Sequence, residues 1–121
     1  VAVLDTERGR FACGGTVVVE LDGEIDLATA DQVYARLAGA VVDGCVIVDL
    51  TAVEFIDASG VNALIAAQRA ATGVRRHLLL ASPPRQLSRI LDVLSLRRVL
   101  AAHADVAAAR TAHECAAVRS R

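Results

Sequence analysis

The chain has no Lys, Met or Trp, and its aromatics are limited to Phe11, Tyr34 and Phe55. So few rings leave no stacking platform for nucleic-acid bases. Every basic residue is Arg, which reads as coding bias. The formal net charge is −1, so there is no electrostatic case for nucleic acid or an anionic membrane surface. No apolar run approaches the roughly 18 residues of a membrane span. The opening Val1-Ala2-Val3-Leu4-Asp5 lacks the basic start of a signal peptide. It also lacks an initiator Met, which fits a processed or trimmed start.

Cysteine is scarce as well. Cys13, Cys45 and Cys115 are odd in number, far apart and without a C-x-x-C pair. That count suits a reducing cytoplasm, and Cys45, in an apolar run, reads as a small core residue. His77, His103 and His113 show no metal-ligand spacing. No cofactor or metal is therefore expected from the linear pattern.

What remains is an aliphatic chain: 55% of its 121 residues are hydrophobic. The length suits a single domain, 1–121, with a core of Val, Leu, Ile and Ala that needs no staple. Val1–Thr6 alternates weakly and reads as a first strand. Thr16–Leu21 is β-branched and alternating, with Asp22-Gly23 as a closing turn and Glu24-Ile25-Asp26 as an extended link. Thr29 starts a helix, with Gln32 at capping-box spacing and Val33, Leu37 and Val41 as its apolar stripe. Asp43-Gly44 stops it. Cys45–Leu50 is nearly continuous apolar sequence, the mark of a strand buried on both faces of a parallel sheet.

A second helix is expected over Gly60–Thr72, with Val61, Leu64 and Ile65 inward and Asn62, Ala66 and Arg69 exposed. Arg76–Ala81 reads as a strand. Ser82-Pro83-Pro84 breaks the chain, with Pro84 suited to a first helical turn. Leu87, Ile90, Leu91 and Leu94 then mark an amphipathic helix. Val99-Leu100 is a brief extended element. Asp105 caps a last helix to about Ala117, and Val118–Arg121 is expected to fray. The order ββαβαβαα implies an α/β domain with about four helices. Its sheet would be mixed but mostly parallel, an opening strand adding an antiparallel edge.

The most informative stretch is Val48 to Val61. A hydrophobic strand leads through Asp57-Ala58-Ser59-Gly60 into an apolar helix. Ser59 would stand at a helix N-terminus, where unpaired N–H groups and the helix dipole favour negative charge. Two readings are open. Ser is a favoured N-cap in any protein, worth about 1 kcal/mol over Ala. Alternatively, Ser59 is an acceptor for phosphate. Asp57 reads as a loop cap or as part of a docking face, and Glu54 as a solvated charge.

Three segments in order resemble STAS domains, the family of anti-sigma factor antagonists. Gly23-Glu24-Ile25-Asp26-Leu27-Ala28-Thr29-Ala30 is similar to the family's Gly-Glu-Leu-Asp-x-x-Thr-Ala. Val46–Val61 is similar to its strand-plus-switch segment, which carries Asp-Ser-Ser-Gly or Asp-x-Ser-Gly. Ser82–Leu96 is similar to its third strand–helix block. The resemblance implies that Ser59 is the phosphorylation switch. Ala58 stands where many relatives have a second Ser, which leaves Ser59 the only hydroxyl at the loop's end.

By the same resemblance, Asp26, Asp57, Ala58, Ser59, Gly60 and Asn62 form the partner-binding face, although Asp26 also fits an ordinary turn residue. The implied partners are an anti-sigma factor, itself a Ser kinase of ATPase fold that modifies Ser59, and a phosphatase that resets the switch. Neither nucleic acid nor membrane is a direct partner. The alternative is a STAS regulatory module of an anion transporter or of a lipid-transport complex.

An enzyme is not expected. The local sequence around Ser59 lacks the Gly-x-Ser-x-Gly of a nucleophile elbow. No base with an orienting partner can be assigned to it, and Gly14-Gly15 lacks the spacing and the Lys of a phosphate-binding loop.

Overall fold

The computed structural model describes residues 15–119. The strand expected at Val1–Thr6, and with it any antiparallel edge, lies outside the described residues. Four strands, β1 (Thr16–Ile25), β2 (Cys45–Ile56), β3 (Leu78–Ala81) and β4 (Ala102–His103), form one sheet in sequence order. All three pairings are parallel. Four helices connect or follow them: α1 (Ala30–Ala40), α2 (Ala58–Gly73), α3 (Arg85–Val93) and α4 (Val106–Arg119). A short 3₁₀ turn, Leu96–Arg98, lies between α3 and β4. The α/β class and the parallel strand–helix–strand units thus agree with the sequence pattern.

Side-chain alternation divides the sheet into two faces. Val19, Val46, Val48, Leu78 and Leu80 point into the main core with Leu37 of α1, Leu64 of α2 and Leu87 and Leu91 of α3. Ile47 and Ala81 point the other way and meet Ala109 of α4, with Val18, Leu79 and Val106 packed around them. The near-continuous apolar run of β2 is explained by this burial on both sides.

Several boundaries differ from the sequence reading. Asp22-Gly23 does not close β1. The strand continues to Ile25 through register shifts around these residues, and Gly23 takes φ +67°, a left-handed conformation open to glycine. β2 likewise runs beyond Leu50 to Ile56, because the extension of β1 supplies it with a partner: Asp22 pairs with Ala52 and Ile25 with Ile56. Thr29 and Gln32 form no capping box. The Thr29 hydroxyl donates instead to the Glu24 carbonyl at 2.9 Å.

Pro84 is the N-cap of α3 and not a residue of its first turn. Leu94 follows the end of that helix and is 61% exposed. The extended element expected at Val99-Leu100 occurs three residues later, as β4. α4 does begin with Asp105 as its cap, its carboxylate accepting from the Ala108 N–H at 2.8 Å, and it extends past Ala117 to Arg119.

Candidate functional site

The site lies at the C-terminal edge of the sheet, where β1 and β2 end together. Because Ile25 is in register with Ile56, the chain leaves both strands at one level. Asp26 and Asp57 are the next residues, and the Asp57 N–H donates to the Ile25 carbonyl at 3.2 Å. Gln86, at the start of α3, braces the same edge through its Oε1, which accepts from the Ile56 N–H at 3.3 Å.

Asp57, not Ser59, caps α2. It has extended backbone angles, and its carboxylate accepts from the Gly60 N–H at 3.1 Å. Ala58 is exposed in the first helical position, and Ser59 is half-buried in the second. The N-cap reading of Ser59 is therefore corrected. The physical reason is that β2 is longer than the apolar run suggests, so its end sets the cap at Asp57. No hydrogen bond engages the Ser59 hydroxyl among the described residues.

Gly60 has a steric reason. A Cβ there would lie 2.5 Å from the Ile25 carbonyl oxygen, 2.6 Å from Ile56 Cγ1 and 2.8 Å from Ile25 Cγ2. The first turn of α2 thus sits directly on the end of β1, which only a residue without a side chain allows. That close approach aligns Ser59 with the start of α1. Together with Asn62, Ala63 and Ala66 of α2 and Ala30, Asp31 and Tyr34 of α1, Ser59 lines an open groove of about 310 Å³. Asn62 and Ala66 are exposed, as the helical pattern predicts, and so is Arg69.

Asp26 is half-buried and organises the β1–α1 turn. Its carboxylate accepts from the N–H groups of Ala28 at 3.0 Å and Thr29 at 3.2 Å. The Thr29 hydroxyl accepts in turn from the Asp26 N–H at 3.0 Å. The turn presents Leu27, which is 81% exposed. Composition and spacing did not single out Leu27, Asp31 or Tyr34 as site residues. The helical pattern places Tyr34 beside the apolar stripe of α1, but only the docking of α1 on α2 brings it to Ser59.

No histidine reaches Ser59. His77 lies against Cys45 at the start of β2, whereas Ser59 follows its other end. A 12-residue strand spans roughly 35 Å. His103 pairs with Ala81, which pairs with Asp49, seven positions short of Ile56 on β2. His113 is in edge-on ring contact with His77, at the opposite end of the sheet.

A family model described as the STAS domain matches residues 12–109. The chain belongs to the STAS domain family. Over 84 residues it is 29% identical to an anti-sigma F factor antagonist of Lysinibacillus sphaericus, covering 67% of this chain and 72% of that protein. An anti-sigma factor antagonist from Mycobacterium paratuberculosis superposes with a TM-score of 0.71 at 26% identity, over 81% of this chain and 85% of that one. A sulfate transporter family protein from Wolinella succinogenes gives a TM-score of 0.69 at 20% identity, over 84% of this chain and 86% of that one. The last likeness shows the fold alone.

Proposed function

We propose that this STAS domain is an anti-sigma factor antagonist of the cytoplasm, switched by phosphorylation of Ser59. Unphosphorylated, it binds an anti-sigma factor that is itself a Ser kinase of ATPase fold, and so frees a sigma factor for transcription. Phosphorylated, it is released, and a phosphatase resets it. The observation that carries the reading is the hydroxyl of Ser59, which lines the groove between α1 and α2 and has no hydrogen-bond partner among the described residues. The antagonist relative of 29% identity supports the same reading. An anion-transporter or lipid-transport module has only the shared fold in its favour.

In the transfer, Ser59 Oγ forms a bond to the γ-phosphorus of ATP as the bond to the bridging oxygen breaks. ADP leaves, and the hydroxyl proton passes to a base of the kinase. This chain contributes the acceptor and the surface that positions it. On this reading it performs no catalysis of its own, and none of its histidines reaches Ser59. Asp26, Asp57, Ala58 and Asn62 make the rest of the docking face, beside Leu27 and Tyr34; Gly60 is buried and serves the face by letting α2 sit on the end of β1.

A phosphate adds about −1.5 to −2 charge. It would enter a groove already lined by Asp31, next to a helix start whose Gly60 N–H is committed to Asp57. The added charge and bulk oppose docking through repulsion and steric conflict with the partner.

The test is to incubate the chain with its candidate Ser kinase and ATP and to map the product by mass spectrometry. One phosphoryl group on Ser59 is expected; labelling of Thr51, Ser82 or Ser88 with Ser59 unmodified removes the reading. In parallel, Ser59→Ala should bind the kinase normally and resist labelling. Ser59→Asp should bind about 10-fold more weakly, or about 1.4 kcal/mol. Equal affinities of the two variants would leave Ser59 without a switching role.

A further inference from the structure

We infer that Cys45, His77 and His113 form a binding site for a zinc ion at the end of the sheet opposite Ser59. The three residues come from three elements. Cys45 is the fully buried first residue of β2, His77 immediately precedes β3, and His113 is a buried residue of α4. One ligand atom from each lies within 4.8 Å of the other two. Cys45 Sγ and His77 Nδ1 are 3.7 Å apart. The imidazoles of His77 and His113 meet edge to face, with centroids 5.1 Å apart.

This arrangement is close to what a tetrahedral ion requires. Zn–S and Zn–N bonds of about 2.3 and 2.0–2.1 Å place neighbouring ligand atoms roughly 3.3–3.6 Å apart. The Cys45–His77 pair already has nearly that separation. The other two pairs lie within 4.8 Å and need contractions of at most about 1.5 Å. One thiolate and two imidazoles form a soft-to-borderline donor set, which selects zinc over magnesium or calcium.

The surroundings hold the donor atoms in place. The backbone N–H of His77 donates to Cys45 Sγ at 3.1 Å, which fixes the sulfur beside the rings. Ordinary packing of polar side chains would leave His113 Nε2 buried without a hydrogen bond, a state that costs stability. Rotation of this ring onto a shared ion removes the cost.

The site has a structural consequence. α4 covers the second face of the sheet, where the buried cluster is small: Ile47, Ala81 and Ala109. An ion held by β2, the approach to β3 and α4 would clamp that helix to the sheet. Zinc would bind the native chain far better than the unfolded one and so raise its stability.

The experiment uses the full chain, reduced and stripped of metal with a chelator. Zinc is titrated by calorimetry, cobalt by absorption, and melting is followed with and without zinc. Expected are one zinc per chain and a rise in Tm of at least about 4 °C at a hundred-fold excess over Kd. Cobalt should give a thiolate charge-transfer band, and magnesium should change nothing. Cys45→Ala and His77→Asn, each verified as folded by circular dichroism, should weaken zinc binding at least about 10-fold, or about 1.4 kcal/mol. Failure of zinc to bind or to raise Tm overturns the site. So does affinity retained in either variant, which would place the zinc on other groups. If one variant does not fold, the other decides by the same criterion.

Discussion

Asp57, Ser59 and Gly60 are three residues apart at most, yet they carry separable burdens. Asp57 satisfies the Gly60 N–H, so Asp57→Ala should lose about 0.5–2 kcal/mol of stability. Ser59 stands one position beyond the first helical residue and caps nothing, so Ser59→Ala should change stability by no more than about 0.5 kcal/mol. Chemical denaturation of both variants checks the assignment, and a reversed order would return the cap to Ser59. Gly60→Ala drives a methyl group into the Ile25 carbonyl and the Ile56 side chain. Backbone cannot yield as a side-chain tip can, and a loss of about 1–3 kcal/mol is expected. A melting temperature equal to that of the parent chain would contradict the close approach of α2 to β1. Asp26 belongs with these residues: its two hydrogen bonds to the turn give it a structural duty whatever it contributes to docking.

Among the elements, α4 has the most conditional attachment. It packs on the sheet through a few small residues and through the edge-on contact of His113 with His77. Both histidines have pKa values held below 6.5 by burial. Below that pH the unfolded chain takes up protons that the native chain refuses. Stability contributed by the neutral pair is therefore complete above about pH 7 and falls as the pH drops through 6.5 and below. Thermal melts of the metal-free chain at pH 7.5 and 5.5 should show a lower Tm at the acid value. His77→Asn should reduce the difference. A Tm that is flat or rises toward acid would contradict the burial of these rings.

At the scale of the whole molecule, the parallel sheet separates two kinds of chemistry. The C-terminal ends of β1 and β2 present Ser59, Asp26 and Asp57, with Leu27 exposed beside them. The opposite end gathers Cys45, His77 and His113. Among the described residues no helix is long and apolar enough to cross a membrane. Leu27 belongs to the docking surface of the proposed function. Leu27→Asp should weaken binding to the anti-sigma partner about 10-fold, or about 1.4 kcal/mol. Its Tm should stay within a few degrees of the parent, because an exposed side chain leaves little packing to lose. Undiminished binding would move the docking face away from the β1–α1 turn.

Local pattern was enough to read much of this protein. The apolar run at Cys45–Leu50, the helical spacing of Val33 and Leu37 and of Leu87 and Leu91, and the strand-to-helix junction before Ser59 all depend on neighbours a few residues away. Those neighbours establish α/β class, parallel connections, and the exposure of Asn62, Ala66 and Arg69. Other features depended on partners far along the chain. Asp22-Gly23 has the composition of a turn, but pairing with Ala52 and Val53 keeps it in a bulged strand. The same pairing lengthens β2, which transfers the α2 cap from Ser59 to Asp57. The expected capping box at Thr29 gives way because its hydroxyl oxygen accepts from the Asp26 N–H instead of from a helix N–H, while donating to the Glu24 carbonyl. The groove at Ser59 exists only once α1 rests against α2, and Cys45, His77 and His113 meet only when β2, β3 and α4 assemble. A hydrogen bond or a ligand set needs distances of a few ångströms, and residues dozens of positions apart acquire such distances only through the packing of the chain.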